Sequence, residues 1–96
     1  MPTLTQWKRA PDKVARHRGL PIMLWLKPGD LRAICGEVEI EVFHSRHGEY
    51  RAPIRGRSSR GDYGYHGHTW EEEPTPQDFE SYALNCLETL DREGRL

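Results

Sequence analysis

The residues of this chain that could do chemistry fall in clusters of histidine, arginine and carboxylate. His44 and His47 flank a turn-like stretch, and His66 and His68 are two apart, so on a strand the second pair shares one face. A His-x-His pair joined by a third histidine is an arrangement that zinc accepts, because imidazole nitrogen suits that ion. His44, His66 and His68 are the candidate ligands on this ground. Neither Cys35 nor Cys86 lies at metal spacing from them, and histidines are common in glycine-rich turns. The expectation is therefore no metal and no cofactor.

Arg51, Arg55, Arg57 and Arg60 follow one another closely, with Tyr63 and Tyr65 just after. Arginines hold phosphates and aromatic rings stack on bases, so this run is the candidate nucleic-acid surface. The chain as a whole is slightly acidic, with net charge −1, whereas a nucleic-acid domain is usually basic. Arg60-Gly61-Asp62 spells an integrin-recognition tripeptide and, with no secretion signal before it, is read as coincidence.

Catalysis needs an activated nucleophile or a tuned acid–base pair. Cys86 falls on an apolar helical stripe, and Cys35 has no histidine at a meaningful spacing. No phosphate-binding glycine loop precedes a helix. Glu71, Glu72 and Glu73 read as a solvated loop whose charge also favours the positive N-terminus of the helix that follows. The expectation is a protein that is not an enzyme.

These residues need a scaffold, and 96 residues suffice for one domain but not two. With 35% hydrophobic and 30% charged residues, the core must be thin. No apolar run approaches the ~20 residues of a membrane span. The stretch from Met1 to Trp7 has no apolar signal-peptide core, so cytoplasmic residence is expected. Residues 1–61 carry a net charge of +6 and residues 62–96 carry −7. That asymmetry reads either as two faces with different partners or as two halves that attract each other.

The clearest element is a C-terminal helix. Phe79, Tyr82, Ala83, Cys86, Leu87 and Leu90 form one apolar stripe on a 3.6-residue period. Thr75 is placed to cap it, Pro76 suits its first position, Asp78 sits where a capping-box acid would, and Gly94 follows its last turn. Asp78, Glu80, Glu88 and Asp91 are expected on its outer, acidic side.

Val38, Ile40 and Val42 alternate with Glu37, Glu39 and Glu41 in the clearest strand. Residues Glu49 to Arg55 alternate again, so the two runs predict a hairpin. Pairing Val42 with Tyr50, Ile40 with Ala52 and Val38 with Ile54 also sets Glu41 opposite Arg51 and Glu37 opposite Arg55. Pro53 places this second strand at an edge, or kinks it. Leu20 to Leu26 reads as a central strand, apolar on both sides with Trp25 buried, followed by a Pro28-Gly29 turn. Leu31 to Cys35 stays open between a strand extending into the glutamate strand, with Gly36 as a bulge, and one helical turn. Residues 55–68 read as a long glycine-rich loop, with a further strand between Tyr63 and Trp70. Residues 1–19 read as a weakly ordered basic segment, with a short helix from Pro11 to Arg18 as one option. The domain proper is then residues 20–96: α+β, a small antiparallel sheet of three to four strands packed against one C-terminal amphipathic helix.

In its small size, small sheet with one helix and lack of a catalytic motif, the chain resembles the small orphan proteins of phages and mobile elements, anti-CRISPR inhibitors among them. That resemblance implies a stoichiometric inhibitor of a nucleoprotein complex, in which Asp78, Glu80, Glu88 and Asp91 would stand in for nucleic-acid phosphates. A second likeness, carried by Gly48, Tyr50, Gly67 and Thr69 to Glu72 before a helix, is to the partial RNase-H-like fold of HicB-type antitoxins; Pro74 to Pro76 interrupts it. Trp7 and Trp70, in polar surroundings, are the candidate aromatic anchors. The first expectation is thus a protein-interaction domain with a protein partner. The alternative is a small nucleic-acid-binding protein using residues 51–65.

Overall fold

The computed structural model describes residues 11–56 and 68–96. The chain first runs as an antiparallel meander of four strands: β1 (Lys13–His17), β2 (Leu20–Lys27), β3 (Asp30–Cys35) and β4 (Val38–Glu41). It continues through β5 (Phe43–His44), β6 (Tyr50–Ala52), β7 (Ile54–Gly56) and β8 (His68–Trp70) to a single described helix, α1 (Pro76–Arg92). The larger sheet has the order β1-β2-β3-β4-β7 and the smaller one β5-β6-β8. The class is α+β as expected, but the eight strands among the described residues exceed the three to four read from the sequence.

Two of the extra strands were hidden by weak patterning. Lys-Val-Ala-Arg-His in β1 has little apolar surface, yet it pairs along its whole length with β2, from Lys13 opposite Leu24 to His17 opposite Leu20. The helix considered for Pro11 to Arg18 is this strand, and the sheet begins at Lys13 rather than Leu20. Leu31 to Cys35 belongs to its own strand, β3, not to an extension of β4. Gly36 is no bulge: with Glu37 it forms a two-residue turn that sets Cys35 opposite Val38. Its φ of 60° at the first central position is what a type II′ hairpin turn requires.

The remaining extra strands arise from a break in the predicted hairpin. Ile40 pairs with Ile54 and Glu39 with Arg55 in the larger sheet, while Phe43 pairs with Arg51 and His44 with Tyr50 in the smaller. One register therefore runs through both sheets. The break falls at Val42, whose N–H donates to the Leu31 carbonyl at 3.0 Å, and at Pro53, which has no N–H to offer. β7 is the outermost described strand of the larger sheet, and the chain passes from one sheet to the other at Pro53, the place expected for an edge or a kink.

That register is shifted by two residues from the predicted one: Ile40 faces Ile54 rather than Ala52, and Arg55 faces Glu39 rather than Glu37. A shift of two keeps every side chain on its own face, so the hydrophobic pattern cannot detect it. The turn makes the choice. Ser45 N–H donates to Glu49 O at 2.8 Å, and Gly48 N–H donates to Ser45 O at 3.1 Å, with Gly48 at φ 99°. This is the three-residue loop closed by a left-handed glycine.

The core lies between the larger sheet and α1. Phe79, Ala83, Leu87 and Leu90 pack onto Ile22, Leu24, Leu31, Ala33, Cys35, Val38, Ile40, Ala52 and Ile54. Burial of one such leucine contributes about 1.5–3 kcal/mol. Thr75 caps the helix, its hydroxyl accepting from Asp78 N–H at 3.1 Å. Tyr82 and Cys86 flank the stripe half-buried, and the Tyr82 hydroxyl donates to Ala52 O at 2.7 Å. On the opposite face of the sheet Trp25 is buried, as expected, with the Arg32 guanidinium 4.2 Å above its indole ring. No described helix is long and apolar enough to cross a membrane.

Candidate functional site

Of the four carboxylates expected on the outer side of α1, two are already used within the chain. Glu80 pairs with Lys13, and Asp91 lies 3.2 Å from His17 Nε2 and 3.7 Å from Arg18 Nε. Paired residues in an antiparallel ladder point to the same side, so Lys13 and His17, opposite Leu24 and Leu20, face the helix. Glu80 and Asp91 therefore fasten β1 to α1, and the opposite charges of the two halves are in part spent on the fold. Asp78 and Glu88 stay exposed.

A different acidic surface forms where β8 leads into the helix. Thr69, Trp70, Glu71, Glu72, Glu73, Pro74, Thr75 and Asp78 line an open groove of about 550 Å³. Its path is set by Pro74, which is buried, and by the Thr75 cap that starts the helix. Glu71, Glu72 and Asp78 are exposed, and no described cation forms an ion pair with them. Trp70 is half-buried: its indole meets the Tyr82 ring edge-on at 5.4 Å and the His68 ring at 4.6 Å. It covers the end of the core and presents its remaining surface beside the carboxylates. The expectation that Trp70 stands in polar surroundings needs this correction, since one side of it packs on the core.

Glu73 also borders a second, smaller space. A cavity of about 150 Å³ is lined by Gly29, Leu31, Val42, Phe43, His44, Tyr50 and Glu73. Three separate stretches meet there: the β2–β3 turn, the β5–β6 hairpin and the loop before α1. One Glu73 oxygen, Oε2, accepts from Gly29 N–H at 2.9 Å and ties loop to turn. The His44 and Tyr50 rings, opposite each other in the ladder, stack at 4.3 Å with planes 4° apart. His44 Nε2 lies 3.1 Å from Gly48 O. A carbonyl only accepts, so Nε2 carries a proton, and in the neutral ring Nδ1 is then the acceptor. Sequence reasoning missed this cavity. Its residues span Gly29 to Glu73, and no local motif joins them.

The arginine surface is only partly described. Arg51 and Arg55 are exposed on β6 and β7. Arg51 Nη2 lies 2.7 Å from Glu49 Oε1. The Glu49 carboxylate is held below the ordinary carboxylate range chiefly by its own backbone N–H and the Ser45 hydroxyl, with Arg51 adding to both. Arg55 sits opposite Glu39. Arg57, Arg60, Tyr63 and Tyr65 lie outside the described residues, as do Trp7 and His66. Among the metal candidates, His44 is on β5 and His68 on β8, with β6 between them. No group of three His, Cys, Asp or Glu placed to hold a metal occurs among the described residues.

The two thiols are held toward their protonated form. Burial pushes Cys35 up, with the Asp91 charge adding to it, and burial also pushes Cys86 up, partly opposed by a hydrogen bond with Tyr82. The Tyr82 hydroxyl is pushed up strongly, first by burial and then by the neighbouring Cys86. The chain matches no family model, no curated protein and no solved structure.

Proposed function

We propose that this chain is a non-enzymatic protein-interaction domain that offers an acidic groove to a basic surface of a larger partner. The further step is that it acts as a stoichiometric inhibitor of a nucleoprotein complex, in the manner of anti-CRISPR proteins. One observation carries the reading: Glu71, Glu72 and Asp78 stand exposed, with no cation partner among the described residues, beside the half-buried ring of Trp70. Unpaired surface carboxylates steer a basic partner into place, and an adjoining aromatic ring supplies the desolvated contact that holds it. Glu80 and Asp91 drop out of this surface because β1 engages them.

The test is affinity capture from cell lysate with RNase and DNase treatment, using the wild type and a Glu71→Lys/Glu72→Lys variant. A protein that survives nuclease and is lost with the double variant supports the reading. Recovery of nucleic acid alone, or capture indifferent to the charge reversal, overturns it. Nucleic-acid binding through Arg51, Arg55, Arg57, Arg60, Tyr63 and Tyr65 is the weaker alternative. Of its described members, Arg51 is engaged by Glu49 and Arg55 faces Glu39.

A further inference from the structure

We propose that the cavity between the β2–β3 turn, the β5–β6 hairpin and the pre-helix loop is the anchor site for one lysine side chain of a basic protein segment. This rests on the acidic-groove reading above and names the group that the groove would lead in. Glu73 lines both spaces, so a chain lying along Glu71 and Glu72 passes the mouth of the cavity.

Size, walls and polar groups all bear on the choice of ligand. A space of about 150 Å³ takes a benzene-sized group, which is six heavy atoms; a lysine side chain has five from Cβ to Nζ. Leu31 and Val42 supply apolar wall for its methylenes. The stacked His44 and Tyr50 rings supply π surface of the kind that attracts an ammonium group. The acceptors favour a point charge over a fork. Glu73 Oε2 is committed to Gly29 N–H, which leaves Oε1 as a single site. A guanidinium gains most from two parallel bonds to one carboxylate, whereas an ammonium with three rotatable donors needs only one from each of several acceptors. Glu73 Oε1 and His44 Nδ1 are acceptors, and the Tyr50 hydroxyl can accept as well. No ion pair engages Glu73 among the described residues.

The site is tested on the full chain by following backbone amide NMR signals during titration with Nα-acetyl-lysine-N-methylamide, its arginine counterpart and its uncharged norleucine counterpart. A heptalysine peptide reports on the groove as a whole. The expected result is saturable shifts at Gly29, His44, Tyr50 and Glu73 with the lysine probe, weaker with arginine and absent with norleucine. Glu73→Gln keeps an acceptor for Gly29 N–H but removes the charge, and should weaken the lysine probe by about tenfold. Tyr50→Leu, checked for an unchanged circular dichroism spectrum, should weaken it as well. Equal response to norleucine, or lysine binding unchanged in Glu73→Gln, overturns the anchor site. Heptalysine that shifts Glu71, Glu72 and Asp78 but not His44 or Tyr50 overturns the anchor while leaving the groove reading standing. Heptalysine that shifts neither set removes both.

Discussion

Arg32 is a cation largely withdrawn from water, with no carboxylate paired to it among the described residues. Only 8% of the residue is exposed, its Nε lacks a hydrogen-bond partner, and its compensation is the Trp25 ring beneath it. Withdrawing a charge from water costs several kcal/mol after relaxation, while a cation–π contact returns about 0.5–2 kcal/mol. Desolvation wins, so Arg32→Met should raise the melting temperature; a fall of several degrees would show that the guanidinium is better compensated than this. The proton-holding groups Cys35, Cys86 and Tyr82 make a second prediction at this scale. All three are raised above their ordinary values of 9.0, 9.0 and 10.0. The folded chain then keeps protons that the unfolded chain releases, so stability is full below about pH 9 and falls as pH rises beyond it. The urea midpoint should be lower at pH 10.5 than at pH 8, and an equal midpoint would contradict the assigned burial. Cys86 was legible beforehand from its place on the helical stripe. Arg32 was not, because nothing in Leu31 to Cys35 says that an arginine there faces an indole on the neighbouring strand.

The helix is the element whose sequence said most. Six apolar positions on one period, a threonine cap and a following glycine describe the same object, and the structure buries Phe79, Ala83, Leu87 and Leu90 fully and Tyr82 and Cys86 in part. Leu87 is 1% exposed, so Leu87→Asp removes about 1.5–3 kcal/mol of burial and puts a carboxylate into the core, against a typical domain stability of about 5–15 kcal/mol. The variant should show no cooperative thermal transition; a melting temperature equal to the wild type would mean that the stripe is not core. The β1–β2 turn offers the opposite sign. Arg18 holds φ 53°, a conformation that costs a residue with a Cβ, and it stands before Gly19 in a two-residue hairpin. Arg18→Asn makes the Asn-Gly pair such turns prefer and loses a long ion pair, 3.7 Å, that is exposed on the arginine side and worth ~0–1 kcal/mol. The urea midpoint should rise modestly, by an amount equivalent to less than about 1 kcal/mol. For the hairpin, by contrast, alternation named the faces but not the register, since partners two residues apart satisfy the same pattern.

At the scale of the whole molecule, the division into a basic first part and an acidic second part is partly internal. β1 and the turn after it bring Lys13, His17 and Arg18 to Glu80 and Asp91, while Glu71, Glu72 and Asp78 stay free of described cations. Binding of a basic partner should therefore be strong at low salt and largely lost near 0.5 M, where the screening length is only a few ångströms. It should respond to charge reversal at Glu71 and Glu72 far more than at Glu88, on the exposed side of the helix. Chromatography on an immobilised lysine-rich peptide, scored by the salt needed for elution, separates these cases. Equal elution of the Glu71→Lys/Glu72→Lys and Glu88→Lys variants would show that diffuse charge, not the groove, does the binding.

What the sequence determined by itself was whatever depends on periodicity and local caps: an α+β chain, its closing helix, the inward face of β4, the interior place of β2 in its sheet, and the burial of Trp25. These follow because side-chain direction in a helix or strand repeats every few residues and can be counted. The tertiary structure alone decided how β1 is recruited, where the hairpin breaks and slips, which helix carboxylates are consumed, and that Gly29, His44, Tyr50 and Glu73 enclose one space. Each of those turns on which distant residues lie side by side. Strand order and turn geometry set that, and neither leaves a repeating mark on the chain.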